Sequence, residues 1–371
     1  MEINLSIKPG NRIQAFYLFF IITGIQLGVG IIGAPRYIFM EAERDSWLSI
    51  LIAFVYLCLL AMCMFFILKQ YENADYFGIQ VDIFGKWLGR ILGTILIIHF
   101  GMSFFSILLT YIEVIQLFIY HALPNLVITI LIMILVLYTV FGGIRVVVGI
   151  TFLLFLSTFW LLLVLYDPIL RMNWFNLLPI FQTSFPDLLK GARATSYTLT
   201  GVEILMVIYP FIQNKEKAKL PVFLGLAYTT LMLLITTIVS IGYFSAEGLR
   251  SIDWALLILY KSASFTFIER LDYIVVVVWL MVILPNLALS LWAMSFGIKR
   301  LYKVPQKVTL WIITILILII VNFFQYDYEV SNMTNLVGRY GFWITYVYPF
   351  ILLPIVLVKK NWRKRKGSDR L

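Results

Sequence analysis

The stretch "LGVGIIGAPR", Leu27 to Arg36, sits inside a run otherwise apolar enough to cross a membrane, yet it carries three glycines and a proline. In a helix interior glycine costs about 0.8–1 kcal/mol and proline about 3 kcal/mol relative to alanine. The chain therefore weakens a helix where a bilayer should demand one, and the reason for that weakness decides the fold.

The surroundings are unambiguous. Of 371 residues, 62% are hydrophobic and only 13% charged, whereas soluble domains hold about half and about a quarter. The apolar runs reach about 20 residues, the length of a membrane-crossing helix and about twice that of an outer-membrane strand. The sequence thus predicts an all-α integral membrane protein with a single transmembrane domain. Ten spans are expected, near 13–40, 46–68, 87–120, 124–142, 146–166, 186–213, 218–243, 271–297, 308–325 and 336–358. With an even number of spans, one side holds 20 of the 29 Lys and Arg residues, including "NKEKAK" and the tail "KKNWRKRK". The positive-inside rule then places both termini in the cytoplasm, with 359–371 as a basic cytoplasmic tail. The net charge of +10 follows from these short loops and calls for no nucleic-acid partner.

Two longer connections are expected, 69–90 on the cytoplasmic face and 244–270 on the outer face. The second contains "IDWALLILYKSASFTFIER", too short and too interrupted by Lys261 for a span, and reads as a capping or interfacial helix. Cys58 and Cys63 share one apolar span and read as packing residues. The N-terminal "MEINLSIKPGNR" lacks the marks of a cleaved leader, so the first span is expected to be retained.

The first helix is interrupted at Gly28, Gly30 and Gly33; the sixth carries "TLTGVE", with Gly201 close to Glu203. Splitting ten helices five plus five makes these the first helix of each half, about 12–166 and 186–358. Matching interruptions in two halves point to an inverted-repeat transporter fold with a ligand site at the midplane. A break frees N–H and C=O groups that a continuous helix consumes internally, and in hydrocarbon such groups must line an enclosed cavity. A zwitterionic amino acid suits that cavity, its carboxylate meeting N–H groups and its ammonium meeting carbonyls. Small residues also serve close helix packing, but two clusters in register, one near a buried acid, favour the ligand site.

Glu203 lies mid-span, where a charge costs about 2.5–3.5 kcal/mol on insertion scales. It reads either as a neutral carboxyl bonded across the bundle or as a ligand contact, a proton-responsive group or a lock on the broken helix. Glu113 reads as a side chain reaching for the interface. His99 reads as a packing residue, with a proton relay as the alternative. "ILPNLALS" in the eighth helix offers Asn286 and, one turn on, Ser290; Ser103 in the third is of the same kind. No metal set, nucleophile with its base or phosphate loop is visible, so neither an enzyme nor a cofactor is expected.

The ten-span layout, "LGVGIIGAPR", "GKWLG" (Gly85 to Gly89), "TGVEILMVIYPF" and "FIERLD" leading into "VVVVWL" together resemble the spore germination permease family. These are the B subunits of nutrient germinant receptors, a branch of the amino acid, polyamine and organocation transporter superfamily. The resemblance implies a LeuT-like five-plus-five fold and a sensor of a small nutrient in the inner spore membrane, working with an A-type membrane subunit and a C-type lipoprotein subunit. It implies a pocket at Gly28, Gly30, Ile31, Ser103, Leu199, Thr200, Gly201, Glu203, Asn286 and Ser290. The competing expectations are an amino acid transporter coupled to H⁺ or Na⁺, and a structural scaffold subunit of a membrane complex.

Overall fold

The structure, a computed structural model, describes residues 2–263, 270–324 and 326–368. Residues 267–269 of "FIERLD" and 369–371 of the basic tail lie outside the described residues. Every regular element among the described residues is helical, and extended pairing is confined to two isolated bridges, Asn4 with Ala74 and Ile13 with Ile212.

The helices are α1 (Leu18–Gln26), α2 (Gly30–Ala42), α3 (Ser46–Lys69), α4 (Tyr76–Phe118), α5 (Asn125–Phe141) and α6 (Ile144–Thr158). Two short pieces follow, α7 (Leu161–Val164) and α8 (Tyr166–Arg171), then α9 (Phe185–Thr198), α10 (Ile204–Ile208) and α11 (Lys219–Ser251). The chain ends with α12 (Ala255–Ser262), α13 (Leu271–Tyr302), α14 (Gln306–Ile320), α15 (Asp327–Gly341) and α16 (Tyr348–Ser368). Seven helical runs among the described residues are long and apolar enough to cross a membrane; Ala15–Gln26 and Asn125–Phe141 are shorter apolar helices. One of the seven, Gly30–Lys69, joins α2 and α3 across a turn at Glu43–Asp45.

The physical logic is that of lipid as solvent. A helix satisfies its own backbone, which hydrocarbon cannot do for it. Outward positions stay apolar, as Leu59, Phe66, Leu131 and Ile134 show, all more than half exposed. Inward positions pack: α1 and α2 lie within the bundle against α6, α9, α11 and α13.

Two connections differ from or refine the expectation. The polar segment 69–90 is largely helix, because Asp75 caps α4 by accepting the Gly78 N–H at 2.7 Å. The same carboxylate receives Arg300 Nε at 2.6 Å. The chain turns at Gly85 (φ 80°, ψ 179°), a left-handed conformation that glycine adopts without a Cβ clash. A capped helix before that corner is hidden in a composition that reads as loop. In 244–270, α11 bends at Ser245 and α12 lies buried through Ala255, Leu256, Leu257, Leu259 and Tyr260, packed on α2 and α13. Arg36 pairs with Asp253, and its Nε donates to the Arg250 carbonyl at 2.9 Å, tying α2 to this cap.

Candidate functional site

At the first interruption α1 ends at Gln26, and Leu27 is extended (φ −78°, ψ 107°). The chain re-enters a helix through a tight turn in which the Ile32 N–H donates to the Val29 carbonyl at 3.1 Å. In a continuous helix the Ile25 carbonyl would accept from residue 29. Here it accepts from Asn286 Nδ2 of α13 at 2.6 Å. The Cβ of a residue replacing Gly28 would stand 3.0 Å from that amide nitrogen, and one replacing Gly30 would stand 3.4 Å from Thr198 Cα. Gly28 permits close approach, whereas a Cβ at Gly30 would make an ordinary contact. Gly33 serves the cap instead: a Cβ there would stand 2.9 Å from the Asp253 carbonyl oxygen.

At the second interruption α9 ends at Thr198 and α10 begins at Ile204. Gly201 has φ +115°, and any Cβ there would stand 2.9 Å from the Ile25 side chain. The Leu199 carbonyl, which a continuous helix would pair with residue 203, accepts from Gln26 Nε2 at 2.7 Å. Gln26 is oriented in turn by Thr229, whose hydroxyl donates to Gln26 Oε1 at 2.7 Å. The Gly201 N–H donates to Glu203 Oε2 at 3.1 Å, while Glu203 Oε1 lies 2.9 Å from His99 Nε2. Glu203 and His99 are 4% and 3% exposed, so the contact between them is buried within the bundle.

The two interruptions meet at one cavity of ≈ 50 Å³, measured as space open to the centre of a water molecule. A single water needs about 10–15 Å³ on that measure, so only a small molecule matches it. Eight of the ten residues singled out from sequence line it: Gly28, Gly30, Ser103, Thr200, Gly201, Glu203, Asn286 and Ser290. Ile31 and Leu199 are buried but do not line it. Leu199 contributes its carbonyl to Gln26. Sequence reasoning missed Gln26, Tyr197 and Thr198 in the lining, and the apolar walls Phe100, Ile107 and Val337. For Gln26 a signal existed, a lone amide in the turn before a break in an apolar span.

The lining chemistry is specific. Glu203 and Tyr197 are its ionisable members, and no lysine or arginine contributes. Both Glu203 oxygens are engaged internally. What remains at the cavity is the start of α2 at Gly30, whose N–H has no partner within its own helix, and the Ser103 hydroxyl, a buried oxygen without a hydrogen-bond partner among the described residues. Such a wall suits a small molecule of no net charge with polar groups at its ends. No group of three or more metal-ligating side chains occurs among the described residues.

Comparison with known proteins bears on this arrangement. Residues 12–329 match the family described as "Spore germination protein". The chain is 31% identical over 353 residues to spore germination protein GerQB of Bacillus cereus, covering 95% of this chain and 98% of that one. It is 23% identical to spore germination protein YndE of Bacillus subtilis (strain 168), over 96% and 99% of the two chains. Among solved structures it resembles Mhp1, a nucleobase-cation-symport-1 family transporter, with TM-score 0.62 and 14% identity over 89% of this chain and 78% of that one. A Na⁺-coupled sialic acid symporter gives TM-score 0.63 and 11% identity over 93% and 79%. At these identities the likeness is one of fold: a transporter architecture of the LeuT type.

Proposed function

Because the chain belongs to the spore germination protein family, we propose that it is the B subunit of a nutrient germinant receptor and binds a small nutrient, an amino acid, where the two helix interruptions meet. The observation that carries this reading is the shared cavity, with Gly28 and Gly30 on one wall and Thr200 and Gly201 on the other. The carboxylate of the ligand meets the start of α2 at Gly30, where the helix dipole also favours it. The ammonium meets oxygens: the Ser103 hydroxyl, and the Asn286 Oδ1, since Asn286 Nδ2 is committed to the Ile25 carbonyl.

On the same reading the chain is one transmembrane domain of ten spans in two inverted repeats, with α1–α2 and α9–α10 as the interrupted first helices of each. Both termini face the cytoplasm, and the membrane is the inner membrane of the spore. Ligand affinity that differs between two arrangements of the bundle shifts their populations, and A-type and C-type subunits read the shift. Equilibrium binding of a panel of radiolabelled amino acids to the purified protein tests the site. Saturable binding with a defined preference, lost in Gly201→Leu and re-ranked in Asn286→Ser, is expected; unchanged binding in Gly201→Leu overturns the assignment.

The transporter fold is compatible with a second reading, an amino acid transporter coupled to H⁺ or Na⁺ that uses the same cavity. Concentrative, ion-dependent uptake into reconstituted vesicles separates the two.

A further inference from the structure

We propose that His99 is a positioning residue of this site: it holds the Glu203 carboxylate where that group accepts the Gly201 N–H, and so keeps 199–203 in the turn that forms one wall of the cavity. The inference deepens the reading above and relies on it only for the identity of the ligand.

Glu203 has three rotatable side-chain bonds, and one local hydrogen bond to a residue two positions back leaves it several alternative rotamers. A second anchor removes that freedom. His99 supplies it from α4, with Nε2 at 2.9 Å from the oxygen that Gly201 does not use. The ring is itself backed by the chain's last helical segment. A Cβ on Gly341, the end of α15, would stand 3.0 Å from His99 Cε1. Thr345 Oγ1 lies 3.4 Å from Nε2, within a π-helical turn, Phe342–Val347. Such turns insert an extra residue into a helix and recur at functional sites. In the same turn the Tyr346 hydroxyl donates to the Ser196 carbonyl at 2.6 Å. One π turn therefore braces the second interruption on both sides, directly at the end of α9 and through His99 at Glu203. The left-handed Gly201 is what this bracing holds in place.

The test compares His99→Phe, which keeps a ring of similar size but cannot donate, with His99→Gln, whose amide can. Hydrogen–deuterium exchange of the 199–204 amides, followed by mass spectrometry on the purified protein without any amino acid present, gives a readout independent of ligand. Exchange about tenfold faster or more in His99→Phe is expected, the size set by losing one buried hydrogen bond. His99→Gln should stay within about threefold of the parent. Binding across the labelled amino acid panel should fall in the Phe variant and recover in the Gln variant. Slow exchange in His99→Phe, meaning that the ring only fills space, overturns the proposal. Fast exchange in both variants overturns it as well, since a restored donor then restores nothing. A parent protein that binds no amino acid, with the expected exchange pattern intact, removes the proposed function and leaves the role of His99 standing.

Discussion

The two interruptions look alike in sequence, each a glycine-bearing weak point in an apolar span, but they are built on different principles. At the first, the chain leaves the helix through the extended Leu27, and Gly28 and Gly30 keep ordinary backbone conformations. At Gly28 the lack of a side chain makes room for Asn286. At the second, Gly201 adopts φ +115°, a conformation that costs other residues about 1–2 kcal/mol in itself. Glycine is spatial in one break and conformational in the other. Both breaks nonetheless treat their exposed carbonyl identically: an amide side chain from another helix takes it, Asn286 for Ile25 and Gln26 for Leu199.

Substitutions can break or sharpen this contrast. Gly201→Ala should have the largest effect, about 2–4 kcal/mol of lost stability in reversible unfolding from mixed micelles, combining left-handed strain with the collision against Ile25. Gln26→Leu and Asn286→Leu should come next and be similar to each other. Each leaves a buried carbonyl unpaired, a loss of about 1–3 kcal/mol in soluble proteins and nearer 0.6 kcal/mol where membrane helices offer substitute partners. A large gap between the two would break the symmetry of the carbonyl caps. Gly28→Ala should cost less than about 1 kcal/mol, since its Cβ presses only on a side-chain amide that can shift, but ligand binding should weaken as Asn286 moves. Gly30→Ala should be neutral or stabilising by about 0.4–1 kcal/mol, because its Cβ would make an ordinary contact and the unfolded chain would lose freedom. If thermal or denaturant unfolding ranked Gly30→Ala beside Gly201→Ala, the division between spatial and conformational glycines would fail.

Much of the site was legible for a simple reason. Gly28, Gly30 and Gly201 stand out because helix breakers are conspicuous at membrane depth, and Glu203, Asn286, Ser290 and Ser103 because polar side chains are conspicuous in apolar spans. Gln26 satisfies the same test. The role of His99 was not legible: a lone histidine announces no partner, and Glu203 lies 104 positions away in sequence. The Gln26–Leu199 and Asn286–Ile25 bonds span 173 and 261 positions. The helix before Gly85 was hidden differently, in polar residues that caps and an ion pair with Arg300 turn into structure.

The sequence by itself determined that this protein is a bundle of membrane helices and where those helices are weak. Hydropathy and helix propensity are local quantities that sum along a window of about 20 residues, so one chain read alone reveals them. Tertiary structure alone decided that the weak points face each other across a cavity, that amides from distant helices close their carbonyls, and that a buried histidine holds the acid behind Gly201. A hydrogen bond depends on two groups coming within about 3 Å, and only the packing of one helix against another sets that distance.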